Sequence, residues 1–203
     1  MTPAKRTLDL IAALLLSALL ALPFAMLLLW LRLKQGRPVF YVSERMHAPG
    51  RPFRLWKLRT MTVSRADSGV SGGDKAARIT ATGRLLRRTR LDEIPQLWNV
   101  LRGDMSFVGP RPPLRQYVEG FPDLYAQVLR SRPGITGLAT LRYHRHEERL
   151  LARCHSAAET DTLYARACVP RKVRLDLIYQ RRRTICFDLV LMAETLTRAL
   201  RRD

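Results

Sequence analysis

From Leu10 to Leu31 the chain reads LIAALLLSALLALPFAMLLLWL, 22 residues without a formal charge. As a helix this run measures roughly 33 Å, enough to cross the hydrocarbon core of a bilayer. A secretory signal has a shorter apolar stretch followed by a small-residue cleavage site. Here the run ends in Trp30-Leu31-Arg32-Leu33-Lys34, which reads as a retained anchor. Residues 1–35 therefore form one unit and residues 36–203 a second. Lys5 and Arg6 precede the run, and Arg32, Lys34 and Arg37 follow it. Positive charge prefers the cytoplasmic side, so a straight crossing strands one cluster outside. A re-entrant helix, bent at Pro23 where the missing N–H and the ring clash kink the backbone, keeps both clusters on one face. From these residues alone, spanning and re-entrant helices fit equally. Asp9 is expected to cap the helix start or to pair with Lys5 or Arg6.

Beyond the anchor the pattern shortens. Pro38–Val42 and Phe53–Arg59 predict two strands of a hairpin, joined through His47–Pro52. Residues 64–77 (SRADSGVSGGDKAA) offer almost nothing to bury and predict a mobile loop, suited to lie over a site. Arg84–Arg102 is mostly helical, because Leu91, Ile94, Leu97, Trp98 and Leu101 recur at three- and four-residue spacing. Gly103 is its expected stop. Gln116–Arg130 predicts another helix, closed by Arg132-Pro133-Gly134, and the polar stretch 142–166 is expected to be helical too. Ile185–Leu200 is an amphipathic helix fit either to lie on a membrane surface, with Arg198, Arg201 and Arg202 at its end, or to pack on the core. The fold class is thus α+β and mainly α: an N-terminal membrane helix, then a small domain with a short β-hairpin and amphipathic, interfacial helices.

Charge narrows the partners. With 36 Lys and Arg against 17 Asp and Glu, the net charge is +19, which calls for an anionic partner: nucleic acid, lipid headgroups or phosphorylated substrates. Three cysteines without a CxxC suit a reducing cytoplasm and argue against a disulfide framework. The group His144, His146, Cys154, His155 and Cys168 matches no standard zinc spacing.

Against that basic background, RRTRLDEIPQLW (87–98) sets Asp92 and Glu93 side by side. Pro95 is tolerated only in the first turn of a helix, so a helix break near Leu91 is expected, with Asp92 at or near the N-cap. Free N–H groups and the helix dipole there favour an ionised carboxylate and equally a bound phosphate, with Arg84, Arg87, Arg88 and Arg90 close by. Lys57 and Arg59, two apart on a strand and so about 7 Å from one another on one face, are spaced to grip two phosphates. Arg111 stands between Pro110 and Pro112, which restrict its backbone and suit it to bidentate phosphate recognition. A carboxylate beside such a site has two uses: to bind Mg²⁺ together with substrate phosphates, or to attack phosphorus. The plain alternative is that Asp92 is a helix cap and the cations are solvated surface charges.

LDEIPQLWNVLRGDMSFVGPRP (91–112) closely resembles the signature of the bacterial sugar transferases, the monotopic phosphoglycosyl transferases. KRTLDL (5–10), GRPVFYVSER (36–45), PFRLWKLRTM (52–61), ARITATGRLLRRTRLDE (77–93) and RPGITGLA (132–139) agree. The resemblance implies transfer of a sugar 1-phosphate from a UDP-sugar to a polyprenyl phosphate such as undecaprenyl phosphate, with Mg²⁺, release of UMP, and an aspartyl phosphosugar intermediate. It implies Asp92 as nucleophile, Glu93 helping to hold Mg²⁺, and Lys57, Arg88 and Arg111, with Arg59 adjacent, at the phosphates; Asp176 falls on a further substrate position. It also implies a re-entrant helix broken at Pro23, a catalytic domain on the cytoplasmic face of a bacterial inner membrane, and a minimal catalytic form. Leu22 replaces the Ser often found before that proline, and Leu138–His146 departs from the family pattern, so the donor sugar does not follow from the resemblance. The rival reading is a non-catalytic basic scaffold binding anionic lipid or nucleic acid. It leaves the acidic pair unexplained, and with only 7% aromatic residues the chain lacks a stacking platform for nucleic acid.

Overall fold

The computed structural model describes residues 1–64, 69–70 and 72–200. Helix α1 (Pro3–Gln35) contains Pro23 in its interior and, among the described residues, is the one helix long and apolar enough to cross a membrane. Its start is capped by Thr2, whose hydroxyl accepts from the Lys5 N–H at 3.3 Å. Asp9 neither caps nor pairs with Lys5 or Arg6. Lys5, Asp9 and Ala13 recur every fourth residue and share one buried stripe. That stripe faces the domain, so Asp9 accepts from the Phe107 N–H at 3.4 Å and Lys5 reaches Asp188 at 2.5 Å. Arg6 donates to the carbonyls of Val100 and Leu101 at 2.6 and 2.9 Å. At the other end Leu31 is fully buried against Leu58 and Leu86, and Gln35 donates to the Arg59 carbonyl at 3.2 Å. Both ends of α1 thus rest on one body, while Leu15, Leu19, Leu22, Met26 and Leu29 between them stay exposed.

The hairpin is longer than expected. Strand β1 (Phe40–Ala48) pairs antiparallel with β2 (Arg51–Leu58), with an irregularity between Met46 and Ala48. The expected His47–Pro52 loop shrinks to Pro49-Gly50, Gly50 taking the positive φ of 68° that the tight turn needs. Polar Ser43, Glu44 and Arg45 stay in the ladder because one face of the hairpin is open to solvent. Of the loop expected over 64–77, residues 65–68 and 71 lie outside the described residues, and Gly73–Arg78 wind into a 3₁₀ turn. The expected helix over 84–102 is two helices. Helix α2 (Ala81–Thr89) ends at Arg90, which takes φ 59°; a 3₁₀ turn follows at Leu91–Glu93, and α3 (Gln96–Arg102) starts after Pro95 and stops at Gly103, φ 88°.

Strand β3 (Ser106–Val108) leads into the Pro-rich loop. Helices α4 (Arg115–Gly120) and α5 (Pro122–Val128) replace the one helix expected over 116–130, because Phe121 precedes a proline and leaves the helical region at ψ 59°. Strand β4 (Gly134–Thr136) pairs parallel with β3. A Cβ on Gly137 would lie 2.1 Å from the Gly109 carbonyl oxygen, so the two segments close only as glycines. Helices α6 (Leu138–Leu151) and α7 (Ala157–Leu163), a π turn at Tyr164–Cys168, α8 (Val169–Arg182) and α9 (Ile185–Leu200) complete the chain. Helix α9 packs on the core through Leu191, while Leu189, Val190 and Leu196 are exposed; Arg201 and Arg202 lie outside the described residues.

One core joins Ala13 of α1 to Leu55, Val100, Met105, Val108, Leu141, Tyr179 and Leu191. At its edge the Lys5–Asp188 pair is buried, and the Tyr179 hydroxyl donates to Asp188 Oδ1 at 2.6 Å. Removing one partner of a buried pair leaves an uncompensated charge, a loss of about 3–5 kcal/mol, whereas apolar replacement of both is nearly neutral. Lys5→Met should therefore lower the unfolding midpoint in detergent markedly, and Lys5→Met with Asp188→Leu should recover most of it in the same thermal scan.

Candidate active site

The 3₁₀ turn after α2 presents Asp92 and Glu93, both buried, to a cleft of about 950 Å³. Three segments converge on Glu93. Lys57, near the end of β2, sits 2.9 Å from Oε1; Arg111 sits 3.2 Å from the same oxygen; Arg90, on the left-handed residue that breaks the helix, sits 3.4 Å from Oε2. Arg111 is held by its loop: the Pro110 carbonyl accepts from Gly134 N–H at 2.8 Å and the Pro113 carbonyl from Met46 N–H at 3.0 Å. The turn is tied to the hairpin through Asn99, which is fully buried and donates to the Arg54 carbonyl at 2.7 Å while accepting from the Trp56 N–H at 3.2 Å.

Asp92 differs from its neighbour. It makes no hydrogen bond or ion pair among the described residues, and it is not a helix cap: Pro95 precedes α3, with no side-chain cap bond. Burial and then the Glu93 charge push its carboxyl above the ordinary value, while Lys57, Arg111 and Arg87 pull it down. Burial also opposes charge on Glu93, but Lys57, Arg111 and Arg90 outweigh it and hold that carboxyl far below the carboxylate range. Lys57 is lowered by burial and supported by Glu93; Arg111 is raised chiefly by Glu93.

The sequence-predicted phosphate set is only partly brought together. Lys57 and Arg111 meet on Glu93. Arg88 lines the cleft from the exposed face of α2 and has no partner among the described residues. Arg59 also lines the cleft, but its guanidinium is engaged: it donates to the Gln35 carbonyl at 2.5 Å and the Gly36 carbonyl at 3.4 Å. It lies one residue beyond the strand, where the chain meets the end of α1, so the two-residue strand repeat no longer sets its direction. Arg45 was not anticipated. It lines the cleft from β1, half-buried and unpartnered among the described residues; burial and the charge of Arg111 lower its pKa. The hairpin register was the available signal: Arg45 opposes Phe53 and Tyr41 opposes Lys57, so Arg45 and Lys57 share a face.

Asp176, on α8, lines the same cleft apart from the dyad. Burial raises its carboxyl to about 7, with only Lys172 pulling it down, and its Oδ1 has no hydrogen-bond partner. Lys172 itself donates to Glu147 at 2.9 and 3.2 Å and to the Tyr164 hydroxyl at 3.1 Å. No sequence pattern links these residues, which come from α6, the π turn and α8.

A long apolar helix, a candidate membrane segment, is docked here beside a cation-lined cleft with a buried acidic pair, a cleft whose charge suits phosphate groups. The chain belongs to the bacterial sugar transferase family, whose model matches residues 1–202. It is 43% identical over 137 residues to an uncharacterised sugar transferase of Bacillus subtilis, covering 68% of this chain and 67% of that one. It is 42% identical over 143 residues to the UDP-glucose:undecaprenyl-phosphate glucose-1-phosphate transferase of Caulobacter vibrioides, covering 68% of this chain and 53% of that one. Its identity with the Escherichia coli protein of the same name is 34% over 200 residues, covering 95% of this chain but only 39% of that one.

The Asp176 carboxyl gives a stability test with a defined sign. Its folded-state pKa lies near 7, above the ordinary 3.8. Between those values the unfolded chain releases a proton that the folded chain keeps, so stability falls as pH rises from about 4 to about 7. Asp176→Asn removes that loss. Its gain in unfolding free energy should be nil near pH 4 and greatest above pH 7, on the order of 4 kcal/mol for the full shift.

Proposed function

We propose that this chain transfers a sugar 1-phosphate from a UDP-sugar to a polyprenyl phosphate, undecaprenyl phosphate being the acceptor that its relatives' names carry. The observation that carries this reading is the unpartnered, buried Asp92 beside a Glu93 already compensated by three cations. Glu93 holds Lys57 and Arg111 at the place where a diphosphate would lie, so Asp92 remains available for attack. In the first half-reaction an Asp92 oxygen bonds to the phosphorus that bears the sugar. The bond from that phosphorus to the bridging oxygen breaks, and UMP leaves with the electron pair. In the second, a phosphate oxygen of the polyprenyl phosphate attacks the same phosphorus. The acyl phosphate bond breaks, yielding the polyprenyl diphosphosugar and restoring the Asp92 carboxylate. Phosphoryl transfer depends mainly on positioning and charge neutralisation, which Lys57, Arg111, Arg90 and the unpaired Arg45 and Arg88 supply.

The residues also fit Mg²⁺. Two adjacent carboxylates open to one cleft, and a raised Asp92 gains from a nearby cation; such ions take one or two carboxylates together with substrate phosphates. Asp92 and Glu93 would hold it, and it would supply further charge neutralisation at the diphosphate.

The membrane placement follows the same logic. One end of α1 is bonded to Val100, Leu101 and Asp188 and the other to Arg59, so both ends share a side with the domain. That supports a re-entrant helix in one leaflet, with the domain on the cytoplasmic face of the inner membrane, where the lysine and arginine clusters favour it. A tag at residue 2 should be protected from external reagents in spheroplasts; labelling from outside would mean a straight crossing.

Purified protein in nanodiscs, given Mg²⁺, polyprenyl phosphate and a panel of UDP-sugars, should release UMP. Asp92→Asn should abolish release and the covalent phosphosugar adduct seen by intact-protein mass spectrometry. Near-native turnover by that variant would remove the nucleophile assignment. Lys57→Ala should lower kcat by about 10²–10³-fold, the usual loss when one stabilising donor is removed.

A further inference from the structure

Apart from the cationic dyad region, the cleft has a second wall of different chemistry. Asp176 and Tyr125 line it, each only 7% exposed. Neither side chain makes a hydrogen bond among the described residues, and Asp176 Oδ1 is fully buried. They are electrostatic neighbours, since the Asp176 charge acts on the Tyr125 hydroxyl, and they come from the packed helices α5 and α8. Lys172 beside them is fully engaged: an ammonium has three hydrogens, and its contacts run to both Glu147 oxygens and the Tyr164 hydroxyl. Lys172 therefore has no hydrogen left for a phosphate, and Arg45, unpartnered among the described residues, acts on the same Tyr164 from β1. With Glu147 offsetting Lys172, this end is neutral or acidic according to Asp176.

Buried polar groups without partners are rare and destabilising. The pair supplies carboxyl oxygens and a hydroxyl, which suits an uncharged ligand rich in hydroxyl or N–H groups and not an anion. Glu147 links the two walls, because its charge acts both on Arg111 at the dyad and on Lys172 and Tyr164. The polar wall thus begins where the phosphate site ends.

We propose that Asp176 and Tyr125 form the subsite that holds the sugar ring of the donor and discriminates among sugars by their hydroxyl or acylamino groups. The inference rests on the transfer reaction proposed above and assigns one part of its substrate. In that reaction UMP departs after the first step, while the sugar stays attached through Asp92 until the acceptor arrives. A buried, built pocket is required for the part that stays. The wall is nearly neutral, with Glu147 paired to Lys172, so the phosphates are retained by the cations of the dyad region instead.

The test uses the full chain in nanodiscs, with Asp176→Asn and Tyr125→Phe. Donor binding by isothermal titration calorimetry and KM from UMP release are measured for pairs of UDP-sugars differing at one ring position. UMP and UDP serve as sugarless probes. The variants should raise the dissociation constant of the preferred donor about 10-fold or more and collapse the preference within a pair, with UMP and UDP binding unchanged within twofold. A parallel loss of UMP binding, with sugar preference intact, would place the uracil here and overturn the assignment. Unchanged affinity for every ligand would make the two residues purely structural, again overturning it. The pH-dependent unfolding of Asp176→Asn shows whether that variant folds, and Tyr125→Phe removes a single oxygen should it not. A wild-type chain that binds donors selectively without turnover would retire the catalytic reading alone. Turnover with preferences untouched by the variants would retire this inference alone.

Discussion

A buried carboxylate keeps its charge only in the company of cations, and Glu93 draws its three from parts of the chain that are otherwise unconnected. Lys57 arrives on the hairpin, Arg90 on the broken helix and Arg111 on a loop held by the parallel β3–β4 pair. None of these cations would be worth burying without the acid, and the acid would not be ionised without them. The cluster thus fixes how three segments meet. It also separates the fates of two adjacent residues: Glu93 is neutralised in place, and Asp92 is left with a buried carboxyl and no partner.

The second constraint is the seating of α1. A long apolar helix attached only at its last turn would be free to swing. This one is held at Lys5 and Arg6 as well as at Leu31 and Gln35. The Lys5–Asp188–Tyr179 contact links the first helix to the last two, so the apolar helix packs as part of the same fold as the cleft. Arg59, spaced as a phosphate ligand, is committed to the same junction.

Charge is divided within the cleft. The basic excess of the whole chain suggests a uniformly cationic surface, yet Glu147, Lys172, Asp176 and the tyrosines make one wall polar and nearly neutral. A cationic region suits a diphosphate, and a neutral wall suits what the diphosphate carries.

The sequence alone determined the elements whose cause is local. The apolar run, the hairpin, the stop at Gly103, the last helix and the acidic pair ahead of Pro95 all follow from side-chain patterning and backbone rules within a few residues. The tertiary structure alone decided the partners. It turned Arg59 toward α1 and brought Arg45 to the cleft. It made Asp9 a buried acceptor and, at the break that Pro95 leads one to expect near Leu91, set Asp92 in a turn where it caps no helix. It also grouped Asp176 with Tyr125 and Lys172. Propensity and periodicity act over one or two turns, whereas a charge in a buried cleft is governed by whatever the fold places within a few ångströms of it, and that is set by residues tens of positions away.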